Sequence, residues 1–362
     1  PELGAQIWIP REQCPGERTS VDRFGLAPRV SETAAAARLR GAMPIQAPSA
    51  VVMIRPHFFR ANEATAADNS FQSEPGENHD GDAVATAAYR EVTVAVERLR
   101  AEGVTVLLFE DMSRETPDSV FPNNWFSTHA GGRIAVFPMF VPNRRIERRW
   151  DIIETLKAQY RVQEVVDYSG LEVDDIFLEG TGAMVLDYGA HLAYVARSNR
   201  ANPIALERFC TQFGFEPMAF DAHDENGDAI YHTNVMMCIG TDVALIGLET
   251  IADQDRRDEV AERLSRRGRR TVIPLTHRQL RGFAGNAMEL SSPKGRLMAM
   301  STTALATLTD EQCATIERTT RIVPIDIPTI ETAGGSVRCM LAGILLERRR
   351  RPAGGKAAAT RP

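Results

Sequence analysis

Cys339 closes a glycine-rich stretch, Gly334-Gly335-Ser336-Val337-Arg338-Cys339-Met340, and a thiol delivered by such a turn is a candidate nucleophile. Its activation needs a neighbouring cation or exposed backbone N–H groups, which a glycine-rich turn can present. Polar residues recur upstream at a nearly fixed interval. Asn286 stands 53 residues before Cys339, His232 a further 54, Glu179 a further 53 and Asn124 a further 55. Cysteine, histidine and carboxylate at one period predict a repeat architecture whose equivalent loops meet at a single centre. His232 changes charge near neutral pH and suits general acid–base work. Glu179, in a Glu-Gly-x-Gly turn, is placed to orient His232 and raise its pKa. Cys14, Cys210, Cys238 and Cys313 lack a comparable setting.

The elements that must carry these residues repeat as well. An amphipathic helix, a short strand, a polar loop and a hairpin recur, beginning with a helix over 82–101 whose Val84, Ala88, Val92, Val96 and Leu99 form one apolar face. Further helices are expected over 145–160, 202–213, 254–267 and 309–320. Strands follow the five helices from residues 104, 161, 215, 271 and 321. Hairpins are expected at 125–128 with 134–137, 183–186 with 191–196, and 235–239 with 243–247, their turns set by glycine and polar residues. Val51-Val52-Met53-Ile54 is expected to complete the last unit from the other end of the chain. The pattern predicts one α/β domain over 49–347, five units about a pseudo-fivefold axis, between an N-terminal extension (1–48) and a disordered basic tail (348–362).

Bulk properties narrow the function classes. The 362 residues carry a net charge of −6, which offers no general attraction for nucleic acid or an anionic membrane. No apolar run approaches the roughly 18 residues that span a bilayer. Five cysteines without a C-x-x-C pair argue against a disulfide framework or zinc site, and for a reducing, cytoplasmic setting. The acidic stretch 223–228 lacks the closing glutamate of a calcium loop, so metal is not expected there. Its place just before His232 suits a lid.

Four stretches carry a resemblance: Asp118-Ser119-Val120-Phe121-Pro122-Asn123-Asn124, Leu178-Glu179-Gly180-Thr181-Gly182, His232-Thr233-Asn234 and Gly334-Gly335-Ser336-Val337-Arg338-Cys339. They resemble the signature loops of the guanidino-group-modifying (pentein) superfamily of deiminases, dimethylarginine hydrolases and amidinotransferases. The resemblance covers roughly residues 50–347 and implies a five-unit β/α propeller. It is most similar to the citrulline-utilisation hydrolases (citrulline ureidases), through the Phe-Pro-Asn-Asn-Trp-Phe-Ser-Thr-His and Tyr-His-Thr-Asn-Val stretches. It implies a cofactor-free, metal-free hydrolase of a small ureido or guanidino compound, with Cys339, His232 and Glu179 catalytic, and it allows a homodimer. Where the resembling deiminases place carboxylates on a guanidinium, this chain has Asn124 and Asn234, with Asn123 neutral as well. An uncompensated buried cation is penalised by several kcal/mol, so neutral amides point to a ureido group such as that of citrulline. Arg144 and Arg200 match arginines that clamp the substrate α-carboxylate, with Arg145 and Arg197 near enough to take those roles. A hydrolase of arginine or a modified arginine is the alternative. A non-catalytic binding protein on the same propeller has no use for the cysteine, histidine and glutamate.

Overall fold

The computed structural model describes residues 46–72, 81–266 and 268–349, all within the unit Pro44–Pro362. Cys14, the extension up to residue 45 and the tail from residue 350 lie outside the described residues. The rest is an α/β fold of five three-stranded sheets, which fit a propeller-like arrangement. Each sheet repeats one pattern, an antiparallel pair plus a third strand that returns parallel to the middle one after a helical crossover.

Phe126–His129, Arg133–Val136 and Glu164–Asp167 form the first sheet, and Val185–Asp187, Leu192–Ala196 and Glu216–Phe220 the second. Met237–Ile239, Val243–Ile246 and Thr271–Pro274 form the third. Met288–Ser292 and Gly295–Ser301 add a hairpin to Arg321–Ile325 in the fourth. The fifth sheet joins the two ends of the described chain. Ala50–Pro56 pairs antiparallel with Ala342–Gly343 on one side and parallel with Thr105–Asp111 on the other. The opening strand thus completes the last unit, as its apolar run requires. Middle strands such as Leu192–Ala196 are buried along their whole length, which accounts for apolar runs without alternation.

Local signals set the crossover helices. Gly81–Ala101 buries Ala85, Ala88, Val92, Ala95, Val96 and Leu99 at helical spacing, and Gly103 takes φ 93° beyond its end. Asn202 caps Pro203–Phe213 by accepting from the Ile204 N–H, and Gly214 ends it in the left-handed conformation at φ 75°. The helix expected over 145–160 is instead two helices, Pro142–Arg145 and Trp150–Gln159. Arg145, at the end of the first, holds the Met139 and Phe140 carbonyls, and Arg148, between the two, holds the Phe137 carbonyl and Glu172.

The ends of the domain differ from expectation by a few residues. Gln46 donates to the Leu186 and Ile239 carbonyls, tying two sheets together. Arg348 bridges to Tyr160, and the Arg349 guanidinium holds the Lys157 and Tyr160 carbonyls, so these two residues belong to the fold and not to the tail. Among the described residues no helix is long and apolar enough to cross a membrane.

One buried ion pair clamps the second sheet to the crossover of the third. Arg270 Nη1 meets Asp187 Oδ2 with both side chains fully buried, and Asp187 Oδ1 also accepts from the Gly189 and Ala190 N–H groups. Asp187→Ala strands the guanidinium and is expected to cost about 3–5 kcal/mol in urea unfolding at neutral pH. A loss below about 1 kcal/mol would show that the clamp contributes little.

Candidate active site

Each of the first three sheets and the fifth is entered through a single helical turn, and these turns carry the periodic residues. They are Pro122–Asn124, Gly180–Ala183, Thr233–Met236 and Val337–Met340. Glu179 and His232 sit at the caps of the second and third turns, and Cys339 lies inside the last. The fourth sheet is entered through the turn closed by the Asn286 N–H on the Phe283 carbonyl.

The thiol is held from two sides. Asn234 Nδ2 and Asn286 Nδ2 each lie 3.2 Å from Cys339 Sγ, and Asn286 also donates to the Asn234 carbonyl at 3.1 Å. The preceding turn is fixed by Tyr231, whose hydroxyl donates to the Gly334 carbonyl at 2.7 Å, and by Ser336 donating to Glu331 Oε1 at 2.7 Å. Gly334 needs its φ of 81°, and a side chain there would run into Asn69.

His232 Nε2 stands 2.8 Å from Glu179 Oε2, with both residues buried. Burial acts to raise the Glu179 pKa, but Arg200, the His232 hydrogen bond and Arg144 more than offset it and hold the carboxyl below the usual carboxylate range. The carboxylate is therefore ionised, so Nε2 carries the proton and Nδ1 is the free acceptor. The expected rise in the His232 pKa is not what the fold produces. Burial lowers it, and the pull of Glu179 recovers only part because Arg200 and Arg144 oppose a further positive charge.

The two arginines arrive with partners. Arg144 donates to Glu147 from Nε at 3.1 Å and Nη2 at 2.9 Å, lies 3.6 Å from Asp118 and 3.8 Å from Glu179. The Glu147 carboxyl is pushed up to about 8 by burial, against the pull of Arg144. Arg200 donates from Nη1 to Glu179 Oε2 at 3.4 Å and from Nε to Asp68 Oδ2 at 3.0 Å, with Nη2 on Asp68 Oδ1, and its guanidinium lies over the Tyr231 ring. Asp68 occupies the two-pronged position that a substrate carboxylate would need.

One small cavity joins these groups, lined by Asn69, Asp118, Asn124, Arg144, Arg200, Tyr231, His232 and Cys339. Two expected residues sit elsewhere. Asn234 is fully buried with its Nδ2 on the sulfur and its Oδ1 without a hydrogen-bond partner, and Asn123 is fully buried and does not line the cavity. Asn124 lines the cavity; in the amide orientation that satisfies its neighbours, its oxygen accepts from Arg144 Nη1 at 2.9 Å and its nitrogen donates to Asn123 Oδ1 at 3.0 Å. The asparagine amides therefore hold the thiol and Arg144 first. Arg145 and Arg197 do not line the cavity; Arg145 holds backbone carbonyls and Arg197 pairs with Asp221.

Other participants escaped the sequence. Asn286 belongs to the period, and its place there was the signal. Thr65 and Asn69 of the 57–72 segment line the cavity and Asp68 between them holds Arg200, whereas the acidic 223–228 loop closes on its own Asp224 side chain and lines a different surface hollow.

Residues 55–346 match the family described as eukaryotic N,N dimethylarginine dimethylhydrolase, and the chain belongs to that family. No curated protein matches the sequence. Among solved structures, the fold is similar to apo ArgZ, an arginine dihydrolase from the cyanobacterial ornithine–ammonia cycle (TM-score 0.63, 13% identity), over 84% of this chain and 41% of that one. A ternary complex of AgrE with ornithine and NAD+ gives a TM-score of 0.64 at 14% identity, over 83% of this chain and 40% of that one. The chain thus spans about two fifths of those two proteins. It also resembles a cysteine-to-serine mutant of a Pseudomonas aeruginosa DDAH complexed with citrulline (TM-score 0.55, 13% identity), over 84% of this chain and the full length of the other. At these identities the likeness is one of fold.

Gly182 makes the histidine's position possible. A Cβ there would collide with the Asn124 side chain and lie 2.9 Å from both His232 Cε1 and Nδ1. Gly182→Ala is expected to lower turnover on the order of 10²-fold by displacing the ring, with the circular dichroism spectrum unchanged; full activity would show that the ring tolerates the shift.

Because burial depresses the His232 pKa, the unfolded chain binds a proton below about pH 6.5 that the folded ring does not. This group therefore withdraws stability as pH falls through that value, by up to about 1.4 kcal/mol per pH unit. Urea unfolding at pH 7.5, 6.5 and 5.5 should show that slope in the parent and a shallower one in His232→Gln, and equal slopes would contradict a neutral folded ring.

Proposed function

We propose that this chain is a cofactor-free cysteine hydrolase that cleaves the ureido group of citrulline to ornithine, carbon dioxide and ammonia. The reading makes 49–347 the catalytic domain, with its five sheets closing into a ring, and makes the chain a citrulline ureidase within the wider pentein superfamily. The observation that carries the cysteine-hydrolase part is Cys339 Sγ beside two neutral amide N–H groups, in the same cavity as a neutral histidine backed by an ionised glutamate, and the neutral Asn124 lining that cavity supports a ureido substrate.

The thiol proton passes to His232 Nδ1, and Glu179 stabilises the imidazolium that forms. Sγ attacks the ureido carbon, and His232 returns its proton to the departing ornithine nitrogen, leaving an S-carbamoyl cysteine. Water then attacks with His232 as base, freeing carbamate and the thiol. The carbamate falls apart to ammonia and carbon dioxide. Arg200 is the arginine suited to the α-carboxylate, because its outer edge is held only by Asp68, and substrate entry exchanges one carboxylate for another. Arg144, committed to Glu147, Asp118 and Asn124, orients the floor of the site. A cytoplasmic setting fits the reduced thiols.

A second reading, hydrolysis of arginine or a methylated arginine, is favoured by Asp118. It lines the cavity with Oδ1 buried and unpartnered, which suits a cationic group. The matching family is named for dimethylarginine hydrolysis and the similar ArgZ is an arginine dihydrolase, and both names favour that second reading.

The test is release of ornithine, ammonia and dimethylamine from a panel of citrulline, arginine and N,N-dimethylarginine. Citrulline is expected to give the highest kcat/KM. Cys339→Ser and His232→Ala should each lower it at least about 10³-fold, non-additively, and Glu179→Gln on the order of 10²-fold. A parent that prefers arginine, and loses that preference in Asp118→Asn, would establish the second reading. Near-normal turnover by Cys339→Ser would remove both.

A further inference from the structure

The turn that enters the fourth sheet contributes Asn286, and no step of the reaction above uses it. The residue is fully buried, and its delivery takes an unusual backbone. Phe283, three residues earlier, holds φ at 63°, a left-handed conformation that a bulky side chain rarely adopts, with its ring 5.9 Å from that of Phe71. Gly285 lets this turn touch the one that follows His232: a Cβ there would lie 2.6 Å from the Val235 carbonyl oxygen. The Asn286 carbonyl accepts from the Arg338 N–H at 3.3 Å, which ties the turn to the residue just before Cys339. Backbone strain of this kind persists where surrounding contacts over-determine it, and it clusters at functional sites.

Both hydrogens of one amide nitrogen are engaged. Asn286 Nδ2 donates to the Asn234 carbonyl at 3.1 Å and to Cys339 Sγ at 3.2 Å. The first bond fixes which end of the amide faces the sulfur, because the amide oxygen in that place would meet the Asn234 carbonyl oxygen. Asn234 Nδ2 reaches the same sulfur at 3.2 Å, so two donors fill its acceptor side. Neither donor can take the thiol proton. The S–H is left to the cavity, which His232 also lines and where its Nδ1 is the free acceptor.

We propose that Asn286 is a catalytic residue: its N–H stabilises the negative charge that forms on Cys339 Sγ during turnover. The inference rests on the reading of Cys339 as nucleophile. In the resting enzyme the sulfur is a thiol and the bond to it is weak. Charge reaches the sulfur twice. First, the S–H proton goes to His232 Nδ1 and the sulfur's electron pair forms the Sγ–C bond to the substrate carbon. Later, once water has added to the S-carbamoyl group and given its proton to His232, the C–Sγ bond breaks. The electron pair then returns to the sulfur, which takes the proton back from His232. A hydrogen bond to a charged acceptor is roughly twice as strong as one to a neutral acceptor, so the contact strengthens on the way to both transition states. That difference lowers both barriers.

The experiment compares the parent with Asn286→Leu and Asn286→Asp, which keep the size or the shape of the amide and remove the donor. Two rates are measured at neutral pH: turnover of citrulline, arginine and N,N-dimethylarginine, and alkylation of Cys339 by iodoacetamide, read by peptide mass spectrometry. Both variants are expected to lower kcat at least about 10-fold with KM near the parent value, and Asp more than Leu because a carboxylate opposes the new charge. Alkylation, which needs no substrate, should slow by a similar factor while the circular dichroism spectrum is unchanged. Asn286→Ala takes the place of a variant that does not fold. A parent-like rate in either assay overturns the inference alone and leaves Asn286 a packing residue. A parent whose Cys339 resists iodoacetamide, or whose turnover survives Cys339→Ser, removes the nucleophile reading and this inference with it.

Discussion

Glu179 is a fully buried carboxylate, and everything at the candidate site is arranged around making that tolerable. An isolated carboxylate without water would shift its pKa upward and take a proton. Here His232 donates to it at 2.8 Å, Arg200 at 3.4 Å, and Arg144 stands 3.8 Å away. Those partners come from three further parts of the chain, and each is itself anchored, Arg200 by Asp68 and Arg144 by Glu147 and Asp118. The network is therefore a single electrostatic unit, and removing one member leaves another buried and unpaired.

That constraint explains the glycines between the periodic residues. Three turns must bring Asn124, Glu179 and His232 to one place, and side chains at positions 180 and 182 would stand in the way. A Cβ on Gly180, whose φ is 47°, would lie 2.5 Å from the Asn123 carbonyl oxygen, and one on Gly182 would meet His232. The repeated unit supplies the rest. Asn124, Glu179, His232 and Cys339 each sit in, or at the cap of, the single helical turn that precedes a short strand, so one local device presents all four.

The electrostatics also constrain the chemistry. A buried histidine with a depressed pKa, backed by an ionised glutamate, is a base that accepts a proton only when a counter-charge forms beside it. A thiol surrendering that proton supplies the counter-charge.

Residue types and spacing were enough to read the α/β repeat, the five helix–strand units, the joining of both chain ends in one sheet, and the gathering of Cys339, His232, Glu179 and Asn124. These are written locally, in helical periodicity, glycine stops, apolar strands and a period near 54 residues. Tertiary structure alone decided which groups each polar side chain meets. The Asn234 amide nitrogen turns to the sulfur, Asn124 to Arg144, Asp68 to Arg200, and Thr65 and Asn69 rather than the acidic loop line the site. It also decided the direction of the His232 shift, because burial is a property of the packed molecule and opposed the carboxylate beside it. A sequence can announce that a histidine and a glutamate will meet; the dielectric in which they meet exists only once packing has excluded water from around them.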